Sequence, residues 1–339
     1  MKKIFKTSIA FISLMFAANI SMAQNDWTGA AAGNDNITDG GNWQSGVPDS
    51  SGNLGEIETG ATVELNSDLN GYFVQQNDGS VSESTTTNRR FTDGSWSMSG
   101  GTFTMDSNLE LRGSQTFTLS DGTVNLNSGR FDPAGTVVTI TGGSLTANNM
   151  FTGGGSSQIT ISGGTHLFTV TPNASAVRLR GSGNELTISG GTVTLNSEFR
   201  TEGTFFMNGG DFSTTSFNVD AGSQWVMGGS TAGTIDAGEF RELTEDNVDL
   251  NWLSGSLIEM TVGEGDISGE NWAQYLWNSD RMKFNGQTST DLGQNWSQVE
   301  GSIFTFDPGT ETLALIPEPS SIALLGLAGL AVYFFRRRK

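Results

Sequence analysis

The feature that most constrains this chain is a glycine that returns at a nearly fixed interval. Gly79, Gly101, Gly122, Gly143, Gly164, Gly191, Gly210 and Gly229 each close a Gly-Gly or Asp-Gly pair, with spacings of 22, 21, 21, 21, 27, 19 and 19 residues. A constant period of this length is the mark of stacked structural units. The spacing of 27 reads as one unit carrying an insertion of about six residues around Thr171-Pro172-Asn173-Ala174-Ser175.

Residues alternate on both sides of each glycine, as in Phe117-Thr-Leu119-Ser-Asp-Gly122-Thr-Val124-Asn-Leu126 and Leu186-Thr-Ile188-Ser-Gly-Gly191-Thr-Val193-Thr-Leu195. Period two on either side of a turn predicts two short strands per repeat. A hairpin meander also alternates, but it does not require the same residue class at the same offset in every unit. A solenoid does, because equivalent residues of successive coils stack about 4.8 Å apart and form internal columns. The reading is therefore all-β: a parallel β-helix of about eight coils over residues 71–235, with Met98, Leu119, Ile140, Ile161 and Ile188 in one internal column. A polar column follows five residues after the glycine at Asp106, Asn127, Asn148 and Asn196. It fits either a ladder of side-chain amides or the ordinary preference of Asn for turns.

A solenoid must be closed at both ends, since an open coil exposes unpaired edges. Residues 24–70, with Trp27, Trp43 and the strand-like Ala61–Leu65, suit an N-terminal cap; residues 236–316 lose the period, gain aromatics, and suit a β-rich C-terminal cap with a short helix around Asn271–Trp277.

The two ends of the chain read as addresses. Residues 1–23 have a basic start (Lys2, Lys3, Lys6), an apolar centre and Ser21-Met22-Ala23, the three zones of a signal peptide cleaved between Ala23 and Gln24. Residues 317–339 place Pro317-Glu318-Pro319 before the apolar run Ile322–Phe335 and the stop-transfer cluster Arg336, Arg337, Arg338 and Lys339. By the positive-inside rule those cations stay in the cytoplasm, so the body lies outside the inner membrane behind one short transmembrane helix. Fourteen apolar residues are fewer than the roughly 20 usual for a span, which suits a transient anchor.

Between Gln24 and Ile316, 35 acidic residues face 10 basic ones, a balance of −25. Such a surface repels nucleic acid and excludes it as a partner. The chain has no cysteine, so an exported body must hold together by packing and backbone pairing.

Proline-Glu-Pro, an apolar run and a basic end, in that order, resemble the PEP-CTERM sorting signal, also labelled an ice-binding protein C-terminal domain. The resemblance implies export, recognition by an exosortase-type membrane protease and delivery to the cell surface or an extracellular polysaccharide matrix of a Gram-negative bacterium. Trp27, Asn42-Trp43, Pro48 and the Gly-Gly-Thr repeats are similar to those of autotransporter-type β-helix passengers.

Three chemistries compete for the body. His166, the only histidine, falls where other coils carry Val124, Leu145 or Val193, so it reads as an inward structural residue and not a base. With no cysteine and one histidine, neither a metal site nor a cofactor is expected. Polysaccharide lyases and hydrolases are often β-helices, but acid-base pairs are not visible on the repeat strands, and the close pair Arg178 and Arg180 reads as solubilising a loop. Outward Thr102, Thr104, Thr123, Ser144, Thr146, Thr165, Thr192 and Thr194 could order water as an ice-binding face, although Asn125, Leu167 and Asp211 break the ranks. The expectation is a non-enzymatic structural or adhesive protein in contact with extracellular polysaccharide.

Overall fold

The computed structural model describes residues 23–29, 35–49, 53–83, 87–152, 155–169, 177–220, 222–241, 249–263 and 271–317. All but the last residue of the predicted signal peptide 1–23, the predicted insertion 171–175 and everything from Glu318 onward lie outside the described residues. The body is a β-solenoid of about nine turns.

Each coil begins with an alternating arm, turns at the glycine, and continues along a second arm. In Thr116–Asn125 the first arm pairs in parallel with Ser95–Thr104 before it and Val137–Ile140 after it. The second arm pairs with Ser144–Ala147. The glycine is needed at this corner for two reasons. Gly122 has φ of 89°, and a Cβ placed there would lie 2.8 Å from the backbone of Gly100 and Gly101 in the coil below.

The five residues expected in one column do stack. Met98, Leu119, Ile140, Ile161 and Ile188 are direct register partners from rung to rung, and each is at most 2% exposed. Trp96, Phe117, Val138, Ile159, Leu186 and Phe205 form a second column two residues earlier. Burying apolar surface at about 25 cal/mol per Å² in such columns is the main force holding coils together.

Two strands per repeat understates the coil. A third strand, as in Leu109–Arg112 and Arg130–Ala134, joins a separate nine-stranded sheet that closes the cross-section. It escapes the alternation test because it is short and its outward positions are partly buried, as at Glu110 and Asp132.

Coil pairing also runs past the stretch where the period is legible. Ile57 pairs with Gln76 and Gln76 with Met98, while at the other end Met207, Met227, Trp252 and Phe284 continue the same column. At the C-terminal end the rungs persist while the sequence interval widens, so the repeat fades from the sequence although the backbone keeps it.

The last coil is closed by the antiparallel hairpin Phe304–Asp307 and Thr312–Leu315, whose second strand also pairs with Ile258–Val262. The helix Trp272–Asn278 is capped by Asn271, whose Oδ1 accepts from Gln274 N at 2.7 Å, and it buries Trp272 and Trp277. Trp252, Trp277, Phe284 and Trp296 surround the ring of Phe304. At the opposite end Ala23–Asp26 pairs in parallel with Asn53–Ile57, and Trp27 meets Trp43 edge to face at 5.0 Å.

Candidate functional site

The arginines of the solenoid gather on the third sheet. Arg90, Arg112, Arg130, Arg178, Arg200 and Arg241 all lie on its strands. Arg178 is thus a strand residue and not part of a loop, and Arg180 follows immediately after that strand. Their carboxylate partners sit one coil away or, for Arg112–Glu110 and Arg130–Asp132, two residues along the same strand. Arg90 Nη2 lies 3.0 Å from Glu110, and Arg112 Nη2 bridges Glu110 at 3.2 Å and Asp132 at 3.0 Å. Arg130 holds Asp132 at 2.8 Å while its guanidinium covers the ring of Phe151 at 5.2 Å. Arg178 pairs with Glu202, and Arg200 grips Asp220 with two nitrogens. Glu110 and Asp132 are adjacent rungs with like charge, a repulsion that Arg112 between them offsets. The arrangement stitches coil to coil, the task that disulfides perform in many exported proteins.

A second set of polar groups escaped sequence reading. Gln115, Ser157, Asn184 and Ser223 are buried at the corner that precedes the first arm. Gln115 accepts from Gly94 N at 3.0 Å, Asn184 from Ser157 N at 2.8 Å, and Ser157 Oγ donates to Pro133 O at 2.9 Å. Each sits two residues before an inward apolar residue, namely Phe117, Ile159, Leu186 and Trp225. Extending the alternation backward by one step would have found them.

Of the predicted polar column, Asn127 donates from Nδ2 to Asp106 Oδ1, so a ladder step forms there. Asn127 also has φ of 41°, a left-handed turn conformation, so the turn preference of Asn operates at the same residue. His166 is fully buried between Leu145 and Val193. Its Nε2 lies 2.8 Å from the Gly163 carbonyl and must carry the proton, while Nδ1 is buried without a hydrogen-bond partner. Burial lowers its pKa below the ordinary 6.5, opposed more weakly by the Gly163 contact.

On the second arm the hydroxyls align: Ser80, Thr102, Thr123, Ser144, Thr165 and Thr192 occupy successive rungs before Asp211 interrupts them. Some of them point along the axis. Ser144 Oγ donates to Thr123 Oγ1 at 3.3 Å, and Thr234 Oγ1 to Asp211 Oδ1 at 2.7 Å. Among the described residues no group of three or more His, Cys, Asp or Glu side chains could hold a metal ion.

The described residues end at the threshold of the C-terminal address. Ile316 N donates to Ile303 O at 2.8 Å, and the next residue, Pro317, is exposed. Glu318, Pro319 and the cations Arg336 to Lys339 lie outside the described residues, as does the apolar run between them. Among the described residues no helix is long and apolar enough to cross a membrane. At the other end Ala23 and Gln24 open the first paired strand, opposite Asn53 and Leu54, so the predicted cleavage point coincides with the start of the coil.

No curated protein and no solved structure matches the chain. Residues 308–339 match the family described as the PEP-CTERM protein-sorting motif, so the match begins inside the closing hairpin and runs to the end of the chain. The chain therefore carries a sorting signal of the kind recognised by exosortase, a membrane protease, which implies export and membrane-anchored processing in a Gram-negative bacterium, here attached to a β-solenoid body.

Proposed function

We propose that the mature protein is a structural and adhesive rod, non-enzymatic, delivered by exosortase processing to the cell surface or extracellular matrix, where it contacts polysaccharide. The observation that carries this reading is where the charged groups of the third sheet are spent. Its arginines and carboxylates are tied to one another within and across coils, with Asp132 and Glu110 buried between guanidiniums. Carboxylates held in this way serve cohesion; hydrolysis of a glycosidic bond needs one free to donate and one free to accept a proton or attack. Reducing-end and unsaturated-product assays on a polysaccharide panel test the absence of turnover, and activity lost on changing two carboxylates of one coil would replace this reading with an enzyme. Ice-growth inhibition abolished by Thr123→Ala or Thr165→Ala would replace it with ice binding.

The tail supports delivery by a specific geometry. Only Pro317 to Ser321 separate Ile316, which carries the last backbone hydrogen bond among the described residues, from the apolar run at Ile322. Five residues span at most about 18 Å, so an embedded apolar run would hold the hairpin end of the rod close to the membrane. By sequence, Pro317 and Pro319 disfavour a helix around Glu318, which suits recognition of that stretch by a protease. Replacing Pro317, Glu318 and Pro319 together by Ala is expected to leave export intact and to trap the protein in the inner membrane at full C-terminal length. A triple variant that reaches the same compartment at the wild-type mass would reduce the tail to a plain anchor.

A further inference from the structure

The outward positions of the first arm form a lane along the coil axis. Ser97, Thr118, Thr139, Thr160 and Thr187 occupy successive rungs. The residue class then changes within the same column, which continues as Phe206, Val226, Asn251 and Lys283. Phe206 is half-buried on the outer face, between Phe205 and Met207, which point into the core. A groove lined by Gln224, Trp225, Val226, Asp249, Asn251, Lys283 and Gly286 opens on the next rungs, and Phe206 reaches its edge through its register with Val226.

The groove has the donors and acceptors of a built polar site. Asn251 Oδ1 accepts from Gly286 N at 2.9 Å, which fixes the amide and leaves its NH2 as a donor. Gln224 is exposed one strand over, in register with Thr204. Lys283, the only lysine between Gln24 and Ile316, places Nζ 2.7 Å from Asp249. That pair makes the groove close to neutral on a body whose balance is −25.

An aromatic face, two amides and a run of hydroxyls in line suit a sugar chain, whose rings present apolar faces and rims of hydroxyl groups. Charge selects the class. A polyanion would meet the long-range repulsion of the whole body, and the lysine that could attract it is already neutralised by Asp249. We propose that this lane binds a neutral polysaccharide strand laid along the coil axis, with Phe206 as the stacking platform and Gln224, Asn251 and Lys283 as hydrogen-bonding groups. From Phe206 to Lys283 is three rungs, about 14 Å, long enough to meet more than one sugar ring. This site rests on the reading of the protein as a polysaccharide-contacting rod.

The test is native affinity electrophoresis of the exported protein in gels containing laminarin, hydroxyethylcellulose or dextran, with alginate as the polyanion. Retardation by a neutral polymer is expected, weakened about tenfold by Phe206→Thr. That substitution extends the Thr rank outward from the core, so circular dichroism should be unchanged. Gln224→Ala, also at the surface, should weaken retardation as well. If the wild type is retarded by a neutral polymer and both variants match it, the site is wrong while the polysaccharide-binding rod stands. Retardation by alginate alone overturns the assignment to neutral sugar, and retardation by none of the four overturns the site together with the rod's polysaccharide contact.

Discussion

The middle of the solenoid and its C-terminal end solve the same problem with different materials. Between Ser95 and Thr214 every coil presents its inward residues to the coil above and the coil below, so one residue class at one offset suffices. After Phe240 there is progressively less to stack on, and the chain changes method. It places large rings around Phe304, turns a short helix, and folds an antiparallel hairpin over the last parallel edge. A repeating interior needs only a nearest neighbour, whereas an end needs a shape that occurs once.

Two large-to-small substitutions put that contrast to the test. Trp277 is fully buried, donates from Nε1 to Gln294 O at 2.9 Å and meets Phe304 edge to face at 5.6 Å. Trp277→Ala is expected to cost about 3–5 kcal/mol, and hydrogen exchange should quicken mainly in residues 250–316. Ile140→Ala, in the middle of its column, is expected to cost about 2–5 kcal/mol, with faster exchange in the coils on both sides. If both variants loosen the whole chain equally, the end is not a distinct closing unit but one more part of a single cooperative core.

The same contrast explains what could be read in advance. The glycine period, the inward columns at Met98 to Ile188 and the short helix near Trp277 follow from local pattern, because period two and a recurrent φ-positive corner leave marks in any single coil. The third strand left weaker marks. Phe131-Asp132-Pro133-Ala134 is buried throughout, and a buried Asp beside a Pro reads as a turn until Arg112 is seen to hold its carboxylate from the neighbouring coil, with Arg130 on the same strand. Ion pairs between residues about 20 apart have no local signature. The column from Met227 through Trp252 to Phe284 was hidden for a different reason: its rungs are kept while the chain between them lengthens. Of the candidate lane, the hydroxyl run is visible in the repeats, but Lys283 joins it only through a register that widening conceals.

Titration separates the regions at smaller cost. His166 is a base in the regular middle whose pKa lies below 6.5 because burial penalises the cation. The unfolded chain then binds a proton before the folded one does. Stability is therefore complete above about pH 6.5 and declines as pH falls from there toward the lowered folded value. His166→Val, matching Val193 on the next rung, should remove that slope and raise the melting temperature more at pH 5 than at pH 8. An unchanged slope between pH 7 and 5 would mean that His166 is not the titrating group.

The smallest effect belongs to the closing end, at Asp280. Its carboxylate accepts from Thr290 Oγ1, from Thr290 N at 2.9 Å and from Ser289 Oγ at 2.7 Å, at the start of the helix Ser289–Leu292. The Thr290 hydroxyl and amide, then Ser289, lower its pKa from 3.8 to about 2. A depressed carboxylate stabilises the fold while it is ionised, so its contribution is present above pH 3.8 and is lost as pH falls through that value toward 2. The group is partly open to solvent, which screens the interaction and keeps its share of stability modest. Asp280→Asn should lower stability slightly at neutral pH and flatten the acid limb below pH 4, with no change between pH 7 and 5 where His166 acts. Two windows that move independently in the two variants would establish that the middle and the end respond to acid through separate groups, and a single merged window would show that they do not.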